Sequence, residues 1–184
     1  GVAMEYFDAA PDVAKLLRRA FALGLDKPAD FFLKGHDRPM SRASMIYYPP
    51  QDTTREAGRF GVGPHTDIGV LTVLCQDDTG GLQVEDLNGE WIEAPPIPGT
   101  LVVNVGDLLA RWTNDAYRST PHRVINRSGR ERLSLVLAYD PDYGTVIDPA
   151  AAQGAPPKEG YTPTTCGDYL VWRFGRAFGY RKKD

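Results

Sequence analysis

The sequence is short of cysteine, of net charge and of long apolar runs, and each shortage removes a class of function. Only two cysteines occur in 184 residues, Cys75 and Cys166. They are far apart, form no C-x-x-C pair and have no zinc-finger spacing, so neither a dithiol redox motif nor a cysteine zinc site is encoded. Cys75 closes the apolar run Val70–Leu74 and reads as a buried thiol, which fits a reducing cytoplasm. The formal net charge is −3, too mild to be the electrostatic footprint of a nucleic-acid or anionic-membrane binder. Arg181-Lys182-Lys183 reads as a short solvated basic tail. No run approaches the ~20 apolar residues of a membrane span, and no secretory leader is visible. The expectation is a cytoplasmic protein with no membrane or nucleic-acid partner.

What is plentiful is glycine and proline, 19 and 15 residues, the punctuation of many short strands. Hydrophobic residues at 42% and charged residues at 24% suit one ordinary globular domain over residues 1–184. Asp12–Leu25 has helical spacing in Val13, Leu16, Leu17, Ala20 and Phe21, with Pro11 opening the helix and Gly24 near its end. Met45–Tyr48 reads as a strand stopped by Pro49-Pro50, and Gln51–Gly63 as a loop able to cover a pocket mouth. Strand signals then dominate: Val70–Cys75, Leu82–Glu85, Trp91–Glu93, Leu101–Val105, His122–Asn126 and Leu133–Tyr139. Asp78-Thr79-Gly80-Gly81, Asn88-Gly89, Ile97-Pro98-Gly99 and Ser128-Gly129-Arg130 supply turns. Asp107–Trp112 reads as one short helix with Asp107 as its N-cap. Pro141–Pro163 reads as an irregular surface wrap and Thr165–Gly179 as a C-terminal helix. Many short strands at this spacing predict a double-sheet jelly roll or another barrel.

Within that pattern, Gly63-Pro64-His65-Thr66-Asp67 places a histidine and a carboxylate two residues apart, on one face of extended backbone. His122 follows far downstream, where a returning strand can bring it alongside. Two histidines and one carboxylate form a facial triad that leaves coordination positions open, a set suited to non-haem Fe(II). Arg132 and Ser134 share one strand face, opposite Leu133, Leu135 and Leu137. An inward guanidinium requires an anionic partner, and no acidic residue is evidently placed for it, so a small carboxylate held by a fork and a hydroxyl fits. Taken singly, His65 reads equally as a core residue, Asp67 as a turn residue and Arg132 as a surface charge. Zinc would also accept the ligand set and is favoured by affinity order; the anion anchor tilts the choice to iron. His36, alone among charged residues, reads as a solvated loop histidine.

The chain resembles the iron/2-oxoglutarate-dependent dioxygenase superfamily, in its isopenicillin N synthase-like branch. The resemblance runs from about Asp12 to about Phe178. It rests on Tyr47-Tyr48-Pro49-Pro50, Gly63-Pro64-His65-Thr66-Asp67, Gly80-Gly81-Leu82-Gln83-Val84, Asn104-Val105-Gly106-Asp107, Pro121-His122-Arg123-Val124 and Arg132-Leu133-Ser134. It implies a mainly β fold, a double-stranded β-helix (jelly roll) with a flanking N-terminal helix and a C-terminal helix. It implies Fe(II) on His65, Asp67 and His122, the distal carboxylate of 2-oxoglutarate on Arg132 and Ser134, and Tyr48 helping to hold that cosubstrate. The implied reaction uses O2 to oxidise an unactivated C–H bond of a small organic molecule, by hydroxylation, desaturation or cyclisation, and releases succinate and CO2. No side chain beyond the metal ligands is then required for catalysis. Many relatives have asparagine where Ile46 stands, so one polar contact to the cosubstrate is lost or replaced. The branch usually carries a long region ahead of the Asp12 helix, and its absence predicts an uncovered apolar patch. Two other readings stay open: an iron oxidase of the same branch that uses no 2-oxoglutarate, and a jelly-roll binding protein with a vestigial metal site. The Gln51–Gly63 loop, the Trp91 region and the C-terminal helix with Trp172 and Phe178 are the expected substrate-pocket contributors.

Overall fold

A helix that starts ten residues earlier than expected opens the chain. In the computed structural model, which describes residues 1–50 and 60–177, α1 spans Val2–Leu23 and carries Pro11 inside it. Proline costs a helix one hydrogen bond and a steric clash, so the local signal places the start at Asp12. Packing overrides it. Ala10, Ala14, Arg18 and Ala22 make a fully buried stripe at i, i+4 spacing, and Tyr6, a turn before Ala10, donates its hydroxyl to the Val73 carbonyl at 3.0 Å. The small alanines let the helix lie close against a sheet.

Two antiparallel sheets of four strands follow. β1 (Arg42–Tyr48), β8 (Arg132–Tyr139), β3 (Leu71–Gln76) and β6 (Val102–Val105) form one, in that order. β2 (Val62–His65), β7 (His122–Val124), β4 (Leu82–Glu85) and β5 (Trp91–Glu93) form the other. Alternating strand order between two sheets is the jelly roll the turn spacing predicts. Leu71, Val73, Leu137 and Tyr139 belong to the main core with Ala14, Phe32, Leu108, Leu109 and Trp112. A smaller core of Tyr48, Leu82 and Val124, with Ile46, Val62 and Val102 against it, lies on the opposite side of the first sheet. Met45, Tyr47 and Leu133 sit on adjacent strands and stay exposed, an apolar patch on the first sheet's outer face.

α2 (Asp107–Trp112) has the predicted bounds, but Gly106 takes the N-cap position and frees the Asp107 carboxylate for other work. The stretch read as irregular holds β9 (Val146–Ile147), which pairs with β10 (Thr164–Thr165), and a short α3 (Pro149–Gln153) capped by the Asp148 side chain. α4 runs Cys166–Ala177; Phe178, the Arg181-Lys182-Lys183 tail and most of the Gln51–Gly63 loop lie outside the described residues.

Polar groups hold the long helix to the barrel. Arg18 is fully buried and bonds the Tyr139 carbonyl and the His36 ring. His36 is therefore packed rather than solvated: its ring stacks on Tyr139 and its Nδ1 donates to the Leu33 carbonyl at 2.9 Å. Burial and the Arg18 charge push its pKa down to about 4. Asp140, also fully buried, accepts the Val70 N–H at 2.6 Å and a longer contact from Arg42 at 3.4 Å. Burial raises its carboxyl above the usual range, against the pull of Val70, Arg42 and Arg18. Both cysteines are free; Cys166 is the fully buried one and Cys75 only partly so, the reverse of the emphasis the apolar run suggests. Burial, with Asp140 nearby, pushes the Cys166 thiol up to about 12.

Candidate metal and cosubstrate site

His65 and His122 are direct cross-strand partners on β2 and β7, with an irregularity in register just before His65. Gly63 and Pro64 produce it, since proline has no N–H for the ladder. Asp67 does not continue the strand as the two-residue spacing suggests. β2 ends at His65, and Asp67 lies in the turn beyond, where its carbonyl accepts the Asp107 N–H at 2.7 Å. The turn still delivers the carboxylate: one ligand atom from each of His65, Asp67 and His122 lies within 4.8 Å of the others.

Each imidazole is oriented by its own backbone. His65 Nδ1 donates to the Gly63 carbonyl at 2.9 Å and His122 Nδ1 to the Thr120 carbonyl at 3.2 Å. With Nδ1 protonated, both Nε2 lone pairs are left to converge, the tautomer a metal requires. His122 is 6% exposed and burial lowers its pKa, favouring that neutral form. His122 Nε2 lies 3.9 Å from Asp67 Oδ1, and the ring centroids of His65 and His122 are 4.3 Å apart. Asn104 on β6 donates to Asp67 Oδ2 at 3.2 Å. The Asp107 carboxylate accepts from Thr66 Oγ1 at 3.1 Å and is bound by Arg173 of α4. Asn104 and Asp107 belong to a motif visible in the sequence, but their roles there depend on β6 reaching the turn after β2.

On β8 of the other sheet, Arg132 and Ser134 are 0% and 1% exposed. Arg132 Nε donates to the Gly80 carbonyl at 2.9 Å and Nη2 to Gln76 Oε1 at 3.2 Å; its guanidinium lies 4.7 Å from the Tyr48 ring centre. Gly80 and Gly81 both have positive φ, and a Cβ on Gly81 would sit 2.4 Å from the Ile125 carbonyl oxygen, so the turn that delivers the Gly80 carbonyl needs glycine. No ion pair involving Arg132 occurs among the described residues. Arg132 Nη1 and Ser134 Oγ are buried without a partner. Ile46 is the cross-strand neighbour of Ser134 and joins the apolar cluster around Tyr48, so it adds no hydrogen bond there. Unpaired buried donors beside a cation are costly, and a carboxylate would satisfy both.

Asp67 opens onto a cavity of about 200 Å³. A larger cavity, about 590 Å³, lies between α2, Tyr161 and α4 and contains none of the three clustered residues. Trp172 lines that larger cavity; Trp91 instead packs on Arg123 at 4.1 Å, on the second sheet. Phe174 of α4 lies 4.4 Å from the guanidinium of Arg42, which lines the Asp67 cavity.

The model of the 2OG-Fe(II) oxygenase superfamily matches residues 41–141, more than half of the chain, and the protein belongs to that superfamily. Among curated relatives, the 2-oxoglutarate-Fe(II) type oxidoreductase hxnY of Emericella nidulans is 39% identical, over 98% of this chain and 54% of the relative. The homoarginine-6-hydroxylase of Glycine max is 40% identical, over 79% of this chain and 46% of the relative. A full-length Neurospora crassa protein crystallised with alpha-KG and thymine superposes with a TM-score of 0.87 at 34% identity, over 95% of this chain and 55% of that one. The chain thus spans about half the length of the curated relatives it matches.

Proposed function

We propose that the chain carries the Fe(II)- and 2-oxoglutarate-binding centre of an oxygenase. It would oxidise an unactivated C–H bond of a small organic molecule with O2, releasing succinate and CO2. The observation that carries this reading is a pair of unmet demands, one on each sheet. Two imidazoles and a carboxylate converge with free ligand atoms, and a buried guanidinium and hydroxyl lack an anion. His65, Asp67 and His122 would hold Fe(II); Arg132 and Ser134 would receive the distal carboxylate of 2-oxoglutarate, with the Tyr48 ring against the guanidinium. Bound iron supplies the activation of O2 and the oxidation, leaving the protein to bind, orient and exclude water. Asn104 fixes the Asp67 carboxylate, and the carbonyls of Gly63 and Thr120 fix the two rings. No general base is required of the chain. Residues 1–184 act as one jelly-roll domain in this reading. The partner is a small molecule rather than nucleic acid or membrane, in keeping with the net charge of −3. No helix among the described residues is long and apolar enough to cross a membrane, and two free cysteines favour the cytoplasm.

The test is anaerobic addition of Fe(II) and 2-oxoglutarate, read by the weak visible charge-transfer band of a chelated 2-oxo acid, with His65→Ala as control. A band in the wild type that is absent from His65→Ala is the expected result. Iron binding with no band would replace this reading with a 2-oxoglutarate-independent oxidase, and no iron binding would leave a binding protein.

A further inference from the structure

The sheet face that carries Arg132 at one end carries a second arginine at the other. Cross-strand partners share a face. The register therefore aligns Arg42, Ser44, Ile46 and Tyr48 of β1 with Ala138, Val136, Ser134 and Arg132 of β8. The step from Arg132 to Ala138 covers about 20 Å at roughly 3.4 Å per residue. Thr72 of β3 pairs with both Ala138 and Asn104, and Asn104 is the residue that bonds Asp67. Asp67 thus lies at the Arg42 end of this face, with Arg132 toward the other end. The cavity that contains Asp67 also contains Arg42, together with Ser44, Thr72, Ile68 and Val136.

Arg42 has binding capacity to spare. Among the described residues its one contact to a carboxylate is a single-point approach to Asp140 at 3.4 Å, and its side chain is 41% exposed. Asp140 does not depend on it alone: that carboxylate takes the Val70 N–H at 2.6 Å and lies in the field of the buried Arg18. Phe174 covers one face of the Arg42 guanidinium at 4.4 Å, which leaves the edge, where the donors are, for the cavity. The other charge in the cavity, Asp67, belongs to the metal set.

We propose that Arg42 receives a carboxylate of the primary substrate, so that substrate and cosubstrate are gripped by arginines at opposite ends of one sheet face, the substrate at the Asp67 end. This rests on the metal and cosubstrate reading given above. At about 200 Å³ the cavity is smaller than the ~300–1,000 Å³ of sites for drug-sized ligands. The substrate class is therefore small carboxylic acids.

The test uses Mn(II) in place of iron, saturating 2-oxoglutarate, and a probe pair alike in shape but not in charge, 4-fluorobenzoate and 4-fluorobenzamide. Fluorine NMR relaxation reports binding close to the paramagnetic ion. The acid is expected to relax faster than the amide in the wild type. In Arg42→Gln the acid should bind roughly tenfold or more weakly, the scale of a lost charge-assisted pair, with Arg42→Lys in between. Calorimetry of Mn(II) and 2-oxoglutarate on each variant checks that the site is intact, and the acid–amide comparison in the wild type needs no variant. Equal relaxation for acid and amide, no paramagnetic effect on the acid, or unchanged acid binding in Arg42→Gln overturns the assignment. Failure of 2-oxoglutarate to bind the wild type overturns the cosubstrate reading, and this inference with it.

Discussion

Replacing Arg132 by alanine should weaken 2-oxoglutarate far more than it weakens the metal. The guanidinium is fully buried, spends Nε on the Gly80 carbonyl and Nη2 on Gln76, and has Nη1 free. Truncating one partner of a buried charge pair costs about 2–5 kcal/mol. At about 1.4 kcal/mol per decade, that is roughly 30-fold to several thousand-fold in Kd. Ser134 contributes a neutral hydroxyl worth about 1 kcal/mol, so Ser134→Ala should cost only about fivefold. Arg132→Lys keeps the charge but loses the fork, and should fall between the two. The assay is anaerobic titration of 2-oxoglutarate into each folded variant with Fe(II) present, alongside Fe(II) titration alone. The hydrogen bonds of Arg132 go to Gly80 and Gln76 and not to the His65, Asp67 and His122 cluster, so iron affinity should stay within about threefold, or 0.6 kcal/mol. A folded Arg132→Ala protein whose 2-oxoglutarate Kd moves by less than threefold would refute the anchor. So would parallel loss of iron and cosubstrate, which would make Arg132 a general support of the barrel.

Asn104→Ala removes the donor that orients Asp67 and should lower Fe(II) affinity about 10- to 100-fold with little change in melting temperature; metal calorimetry with unchanged affinity would rule that role out. Gly106→Ala places a Cβ 2.0 Å from the Gly69 carbonyl oxygen and 3.1 Å from that of Asp67. Backbone must shift, so stability should fall by about 1–3 kcal/mol and iron should bind more weakly; denaturant melts and metal titration read both. Lowering the pH should destabilise the fold through His36. Its folded pKa of about 4 lies below the usual 6.5, so the unfolded chain takes the proton first. The stability His36 contributes is fully present above pH 6.5 and is lost as pH falls toward 4. The fall in melting temperature across that window should be shallower in His36→Gln, and equal slopes would refute the link.

Local pattern was enough for β4, β5 and α2, whose bounds match the sequence reading, because turn glycines and short apolar runs delimit them without help from distant residues. It also marked His65, Asp67, His122, Arg132 and Ser134 as candidates by spacing, and the structure brings the first three together. It failed where tertiary contact decides. Pro11 hid the first turns of α1, which exist because Ala10 and Tyr6 dock on the sheet. His36 looked solvated because its partners, Arg18 and Tyr139, come from a helix and a distant strand. Asp107 looked like a cap because nothing local links it to Thr66 and Arg173. Arg42 carried no signal at all: its meaning depends on the pairing of β1 with β8, which only long-range register defines.

Cys166 has a bearing on how long such a protein would survive its own chemistry. Oxygenases that misfire release oxidants beside their own side chains, and a thiol is attacked chiefly as the thiolate. With a pKa of about 12, about one Cys166 in 100,000 is ionised at pH 7, and the fold seals it from solvent entirely. The most deeply placed sulfur in the molecule is therefore chemically silent, and oxidative wear should fall first on more accessible groups.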